Sequence, residues 1–105
     1  MALTRSFKQT VQARAQRDQA FRDALLTESV EALLSGEVDT GKAILRDYIN
    51  ATVGFGRLAE VTGRESKSLM RMLGPKGNPT AKNLLSIIGH LQRESGVSLQ
   101  VLAHG

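Results

Sequence analysis

The 105-residue chain contains no cysteine and no tryptophan, and only 4% of its residues are aromatic. The absence of cysteine excludes a disulfide-stabilised secreted domain and a thiolate metal site. No segment approaches the roughly 18 consecutive apolar residues of a membrane-spanning helix. No apolar run of the kind found in a secretory signal follows residues 1–8. We therefore expect a cytoplasmic protein that forms one compact domain and has no membrane partner.

The net charge is only +4, but the charges are segregated along the chain. Residues 1–22 hold five basic side chains and one acidic side chain, and residues 54–83 hold six basic and two acidic. Residues 23–53 reverse the balance, with two basic and six acidic side chains. This separation suggests a basic surface that faces a polyanion, although ordinary solvated helix faces would give the same counts.

The acidic middle segment admits two interpretations. Its carboxylates could contact a basic partner protein, or they could form the exposed faces of amphipathic helices. We favour the second interpretation, because these residues lie opposite the apolar stripe, where any surface helix places its charges. The residues concerned are Glu28, Glu31, Asp39 and Asp47.

The spacing of apolar residues predicts an all-α fold that begins with an N-terminal helical extension over residues 1–51. We expect Asp18 to cap a helix that ends at Gly36, and Asp39 or Thr40 to cap the next helix. The apolar residues that these two helices should direct into the core are Phe21, Leu25, Leu26, Val30, Leu33, Leu34, Ile44, Leu45, Tyr48 and Ile49.

Residues 52–95 form a separate unit of the predicted fold, in which the helices become short. Two short helices, over residues 55–62 and 66–73, are separated by a turn that contains Gly63. Glycine readily adopts the left-handed conformation that such a sharp turn needs. Two short helices joined by a glycine-containing turn are the signature of a helix-turn-helix.

The second of these helices has two chemically distinct sides. Leu69 and Met72 should face the core, whereas Ser66, Lys67, Ser68 and Arg71 should face outward. Arginine can donate two hydrogen bonds to a guanine edge, and lysine and serine can contact bases or phosphates. We therefore predict that these four residues enter the major groove of double-stranded DNA.

The loop over residues 74–79 is the strongest turn signal in the chain. It leads into a helix over residues 80–93, for which Thr80 is one candidate N-cap and Asn78 is the other, with Pro79 then in the first helical position. The side chains that we expect to contact the DNA backbone lie in and around these segments: Arg57, Lys76, Asn78 and Lys82.

The two ends of the chain are predicted to need a partner. Residues 4–16 offer too narrow an apolar stripe for a confident core helix, so we expect this segment to dock on a second subunit or to fray. Residues 96–105 contain a short strand pattern, in which Val97, Leu99 and Val101 alternate with polar residues. Because a lone strand has no partner within the molecule, it should pair across a dimer or lie along the surface.

The segments FGRLAEVTG (55–63), SKSLMRML (66–73) and GNPT (77–80) resemble the Cro/lambda-repressor helix-turn-helix class. Together with Leu25-Leu26 and the run LLSGE at 33–37, they are similar to bacterial addiction-module antidote proteins, or antitoxins. Members of the class commonly begin the first of the two helices with a glutamine that contacts a phosphate. This chain has Phe55-Gly56 there, and Arg57 is the nearest replacement.

The resemblance implies a lambda-repressor-like domain that binds an operator as a homodimer, usually regulates its own gene, and neutralises a toxin protein encoded beside it. An alternative function is a protein-interaction module that sequesters a partner protein and binds DNA without marked sequence preference.

The remaining motifs do not indicate an enzyme, a cofactor or a metal. The run GEVDTGKA (36–43) nearly matches a phosphate-binding loop, but Ala43 replaces the Ser or Thr that binds magnesium. Glu37 and Asp39 would also repel a phosphate. We therefore interpret this run as a turn between two helices.

Overall fold

A computed structural model describes the backbone of residues 2–105 and the side chains of residues 9–105. Within that range the chain is all-α and forms six helices. No helix in residues 2–105 is long and apolar enough to span a membrane. The helices are α1 (Ala2–Arg17), α2 (Gln19–Leu34), α3 (Val38–Ala51), α4 (Gly54–Thr62), α5 (Ser66–Met72) and α6 (Ala81–Ser95).

Three of the predicted helix boundaries are confirmed. The Asp18 carboxylate accepts a hydrogen bond from the backbone N–H of Phe21 (3.1 Å) and caps α2. Gly36, just beyond the end of α2, has a φ of +85°. Of the two candidates for α6, Thr80 is the N-cap, because its hydroxyl accepts a hydrogen bond from Asn83 N–H (3.1 Å).

The predicted start of α3 is wrong. This helix begins at Val38, and Glu37 occupies the N-cap position without a side-chain cap, so neither Asp39 nor Thr40 caps it. The cause lies in the tight end of α2, where Glu37 N–H donates to Ala32 O (2.9 Å). That bond brings residue 37 directly to the start of α3, and Gly41 N–H then donates to Glu37 O (2.9 Å).

A single apolar core joins the N-terminal extension to α4, α5 and α6. Its buried members come from helices α2 to α6 and from Leu73, which directly follows α5. They are Leu26, Leu45, Tyr48, Ile49, Phe55, Leu58, Leu69, Leu73, Ile87, Ile88 and Leu91. Helix α3 is central, since it packs against α1, α2 and α4. Burial of this cluster, at about 25 cal/mol per Å² of apolar surface, supplies most of the stabilisation of the fold.

Although the docking of residues 4–16 on a second subunit stays a prediction, helix α1 packs against α2 and α3 of the same chain. Ala15 is fully buried in this contact. A guanidinium N–H of Arg22 donates to Ala15 O (2.9 Å) and so satisfies one of the carbonyls at the end of α1.

The predicted burial of Leu34 is wrong, and the predicted strand in the tail does not form within the described residues, so its pairing across a dimer stays a prediction. Leu34 is 68% exposed and contributes nothing to the core. Residues 97–105 contain no strand, because nothing in the described chain pairs with their backbone as a second strand. Val97 and Leu99 are half-buried, as the alternation predicts, but Val101 is 81% exposed because the core ends before it.

Candidate functional site

The turn between α4 and α5 is set by Gly63. This residue has a φ of +70°, in the left-handed region that the sequence predicts for it. The backbone N–H groups of Gly63 and Arg64 both donate to Ala59 O, at 2.9 and 3.2 Å, and thereby end α4. Three residues then suffice to reverse the chain into α5.

Helix α5 is held by its inner side. Leu69 is fully buried in the core, and the Ser66 hydroxyl donates to Phe55 O (3.3 Å), which ties the start of α5 to the start of α4. Ser66 is therefore half-buried and serves this junction, whereas the sequence predicts a purely outward role for it. Ser68 is also half-buried.

The outer side of α5 and the residues that follow it form a cationic surface. Lys67, Arg71, Lys76, Asn78 and Lys82 are all exposed, as predicted. Among residues 9–105, none of these four cations lies within 4.0 Å of a carboxylate. They are therefore free to pair with an external anion, which is the main electrostatic requirement for binding a nucleic acid.

A shallow groove of about 330 Å³ brings part of this set together. Ser68, Arg71 and Asn78 line it, and so do Arg64 and Asn83. The last two were missed in the sequence, although Arg64 directly follows the turn glycine. A guanidinium N–H of Arg64 donates to Asn83 Oδ1 (2.8 Å), which orients both side chains at the edge of the groove.

Met70 is a further residue that the sequence pattern does not reveal. It lies on α5 beside Arg71 and is 47% exposed, so about half of its surface is open to solvent. An apolar side chain among cations on such a surface can contact the methyl group of a thymine. The outward side of α5 thus combines cationic and apolar groups.

Two cations of α3 fix the far end of α5. The buried ammonium group of Lys42 donates to Gly74 O (3.0 Å) and Gly77 O (2.6 Å), and Arg46 donates to Leu73 O (3.0 Å). We call Lys42 and Arg46 the cation clamp. Positive charge at the C-terminus of a helix is favourable, because the free carbonyls there carry partial negative charge. The clamp therefore fixes both α5 and the loop that carries Lys76.

This arrangement explains the near match to a phosphate-binding loop. Only Gly36 and Glu37 of this run lie in the turn between α2 and α3, as the sequence predicts. Residues 38–43 belong to α3, so the prediction that the whole run is a turn is wrong. The lysine of the motif points to backbone carbonyls rather than to an external phosphate. Within the described residues, Lys42 is only weakly paired, at 3.6 Å from the largely exposed Asp39 carboxylate.

Arg57 stands apart from the other predicted site residues. Its guanidinium Nε lies 2.9 Å from Glu94 Oε1, and Glu60 is 3.9 Å from the same side chain. Arg57 lines a different cleft, of about 530 Å³, together with Tyr48, Leu91 and other residues. The hydrogen bond from Arg57 lowers the pKa of the Glu94 carboxyl, and the bond together with the charge of Glu94 raises the pKa of Arg57.

The site thus consists of an exposed cationic helix side, a cationic loop and a groove between them, all fixed to one core. Comparisons of the chain with known protein families, with curated proteins and with solved structures each found no match.

Proposed function

We propose that the chain is a sequence-specific DNA-binding transcriptional regulator, with α4 and α5 as a lambda-repressor-like helix-turn-helix. The observation that carries the proposal is the set of cations on the outer side of α5 and on the loop after it, none of which pairs with a carboxylate of residues 9–105. A cationic helix that protrudes from a rigid core suits the major groove of a duplex.

Each part of the surface has a distinct role in this proposal. Lys67 and Arg71 reach base edges, with Ser68 beside them and Met70 in contact with a thymine methyl group. Lys76, Asn78 and Lys82 bind phosphates and set the register of the protein on the duplex. Ser66 holds α5 in place and does not read a base, and Arg64 joins the phosphate contacts at the edge of the groove.

Arg57 keeps its predicted phosphate contact in this proposal, but this contact competes with the ion pair to Glu94. Its guanidinium has to leave or share Glu94 before it can bind a phosphate oxygen. We therefore expect Arg57 to contribute less to affinity than Lys76, which has no carboxylate partner among the described residues.

The resemblance to antidote proteins extends the proposal. The chain would bind the operator of its own gene as a homodimer, because one recognition helix reads only a few base pairs and two-fold symmetry spans half-sites roughly 34 Å apart. It would also neutralise a toxin protein. The groove between α2 and α3, lined by Glu28, Glu31 and Glu37, offers negative charge to such a basic partner.

Footprinting and anisotropy titration on the DNA upstream of the gene test the proposal. We expect a protected two-fold symmetric site, bound about 10³-fold or more tightly than a scrambled duplex. Lys67→Ala/Arg71→Ala should abolish this preference. Arg93→Ala is a matched control, because Arg93 is an exposed cation ten residues along α6 from Asn83, roughly 15 Å at 1.5 Å per residue.

The same titration separates the alternative function. Equal affinity for the upstream site and the scrambled duplex would overturn sequence-specific regulation. If the purified chain then co-elutes with the protein encoded by the adjacent gene, and Glu28→Lys/Glu37→Lys abolishes this co-elution, the sequestering module is the correct function.

A further inference from the structure

The C-terminal tail leaves the core at Leu99. Beyond the end of α6, Gly96 N–H and Val97 N–H both donate to Gln92 O, at 2.9 and 3.1 Å. Leu99 N–H then donates to Gln92 Oε1 (2.8 Å), and the Leu99 side chain packs against the core. No further hydrogen bond within the described chain holds residues 100–105. The backbone N–H and C=O groups of residues 100–105 therefore have no hydrogen-bond partner within the described chain.

Large apolar side chains are exposed where this tail passes α2. Leu34, Val101 and Leu102 are 68%, 81% and 78% exposed, and we call them the tail patch. A narrow groove of about 120 Å³ between α2 and the tail adjoins the patch. It is lined by Thr27, Val30, Leu34 and residues 99–102, with the carboxylate-bearing Glu31 as its one charged residue. Exposed apolar surface that is contiguous in this way marks a contact surface.

We infer that the tail patch binds a second copy of this chain, with the two tails antiparallel across a two-fold axis. This inference deepens the proposed function, since it names the surface through which the regulator would dimerise. Open N–H and C=O groups on an extended segment are a template for pairing with another strand. In such a pair Leu102 and Val101 of each copy cover the α2 groove and the tail of the other.

The charge of the tail favours a second copy over a different partner. Residues 96–105 contain no Asp, Glu, Lys or Arg. In a two-fold contact the same surface lies on both sides, so any charge near the axis would face the identical charge of the other copy. Like charges directly opposite each other destabilise a strand pair. An uncharged segment in a chain with 14 basic and 10 acidic residues is therefore suited to pair with itself.

Sedimentation equilibrium without DNA is the first test. We expect a species of twice the 11.4 kDa chain mass. Leu102→Asp should weaken the dimer at least about tenfold, because it places two carboxylates near the axis. Leu85→Asp is the matched control, since Leu85 is 67% exposed on α6 and outside the patch. A monomeric wild type, or equal effects of the two variants, would overturn the inference.

A cross-linking test uses the absence of cysteine from the chain. Four single cysteine variants of the tail are oxidised at the same dilution as the control variant Leu85→Cys. The tail variants are Ser98→Cys, Gln100→Cys, Val101→Cys and Leu102→Cys. We expect at least one tail variant to form a covalent dimer quickly, because a disulfide needs Cα atoms within about 7 Å of each other. The inference fails if no tail variant cross-links faster than Leu85→Cys.

These outcomes are independent of the DNA titration. Lys67→Ala/Arg71→Ala should sediment as a dimer even though it has lost DNA preference. A dimer without sequence-specific DNA binding would refute the proposed function and leave the tail contact standing. Specific DNA binding by a chain that sediments as a monomer would refute the tail contact and leave sequence-specific DNA binding standing.

Discussion

The ammonium group of Lys42 lies 2.6 Å from the carbonyl oxygen of Gly77, across 35 residues of sequence. This contact joins α3, which belongs to the N-terminal extension, to the loop that follows α5. Because α3 also packs against α1, α2 and α4, the extension determines where α5 and its loop lie. The basic surface thus depends on residues far from it in sequence.

Lys42→Met should destabilise the protein by about 2–3 kcal/mol. The variant keeps the apolar part of the side chain but leaves the carbonyls of Gly74 and Gly77 without their charged donor, and hydrogen bonds to charged groups contribute most. Urea unfolding followed by circular dichroism at 222 nm measures the change.

Asp39→Asn is the control for this substitution. The Asp39 carboxylate is 92% exposed and 3.6 Å from Lys42, so its removal should change stability by less than about 0.5 kcal/mol. A loss of similar size in both variants would show that the ion pair, and not the bonds to the loop, stabilises the clamp.

Gly77→Ala should be strongly destabilising, by about 2 kcal/mol or more, because a Cβ at this position would overlap the backbone carbonyls of Arg71 and Met72. Gly56→Ala provides the contrast. A Cβ at Gly56 meets no atom, and the residue lies within α4, so alanine should stabilise the protein by about 0.5–1 kcal/mol. Thermal unfolding of the two variants should therefore shift in opposite directions. A normal melting temperature for Gly77→Ala would contradict the close approach of the loop to α5.

The features that the sequence predicts well are those that depend on interactions between residues close to each other in the chain. Asp18 and Thr80 cap helices through hydrogen bonds to groups three residues ahead, and Gly63 adopts its left-handed turn for local steric reasons. The apolar spacing likewise identifies Leu45, Tyr48 and Ile49 as buried residues of α3. Such signals require no knowledge of the rest of the fold.

Tertiary contacts explain what could not be predicted. The partner of Arg57 is Glu94, 37 residues away, and the two are brought together only when α4 packs on α6. Lys42 likewise resembles a phosphate-binding lysine until the loop at Gly77 is placed beside it. The tail alternates like a strand, but only a second chain could supply its pairing partner.

Arg71→Ala and Lys76→Ala should affect DNA binding differently. Loss of Arg71 should cost about 1–3 kcal/mol on the specific site and relax the preference at one base pair, if it binds a guanine edge. Loss of Lys76 should weaken all duplexes equally and reduce the slope of log K against log salt by about one unit. Anisotropy titrations at several salt concentrations, on the specific site and on single base-pair changes, separate the two effects. Indistinguishable behaviour of the two variants would refute the division between base-reading helix and phosphate-binding loop.

Glu94→Gln should remove an acid-dependent part of the stability. The pKa of Glu94 is lowered in the folded protein, first by the hydrogen bond from Arg57, relative to its ordinary value of 4.5. A lowered carboxyl pKa stabilises the fold above the unfolded-state pKa, and this contribution is lost as the pH falls through the folded-state value. The melting temperature of the wild type should therefore exceed that of Glu94→Gln near pH 7, and the difference should shrink toward zero in acid below pH 4.5. Glu60→Gln, which removes only the 3.9 Å neighbour of Arg57, should show a smaller pH-dependent difference.

Glu94→Gln should also bind DNA more tightly than the wild type at low salt, because Arg57 is then free to contact a phosphate. The double variant Arg57→Ala/Glu94→Gln should lose this gain. If Glu94→Gln and the double variant bind DNA with equal affinity, Arg57 lies outside the interface.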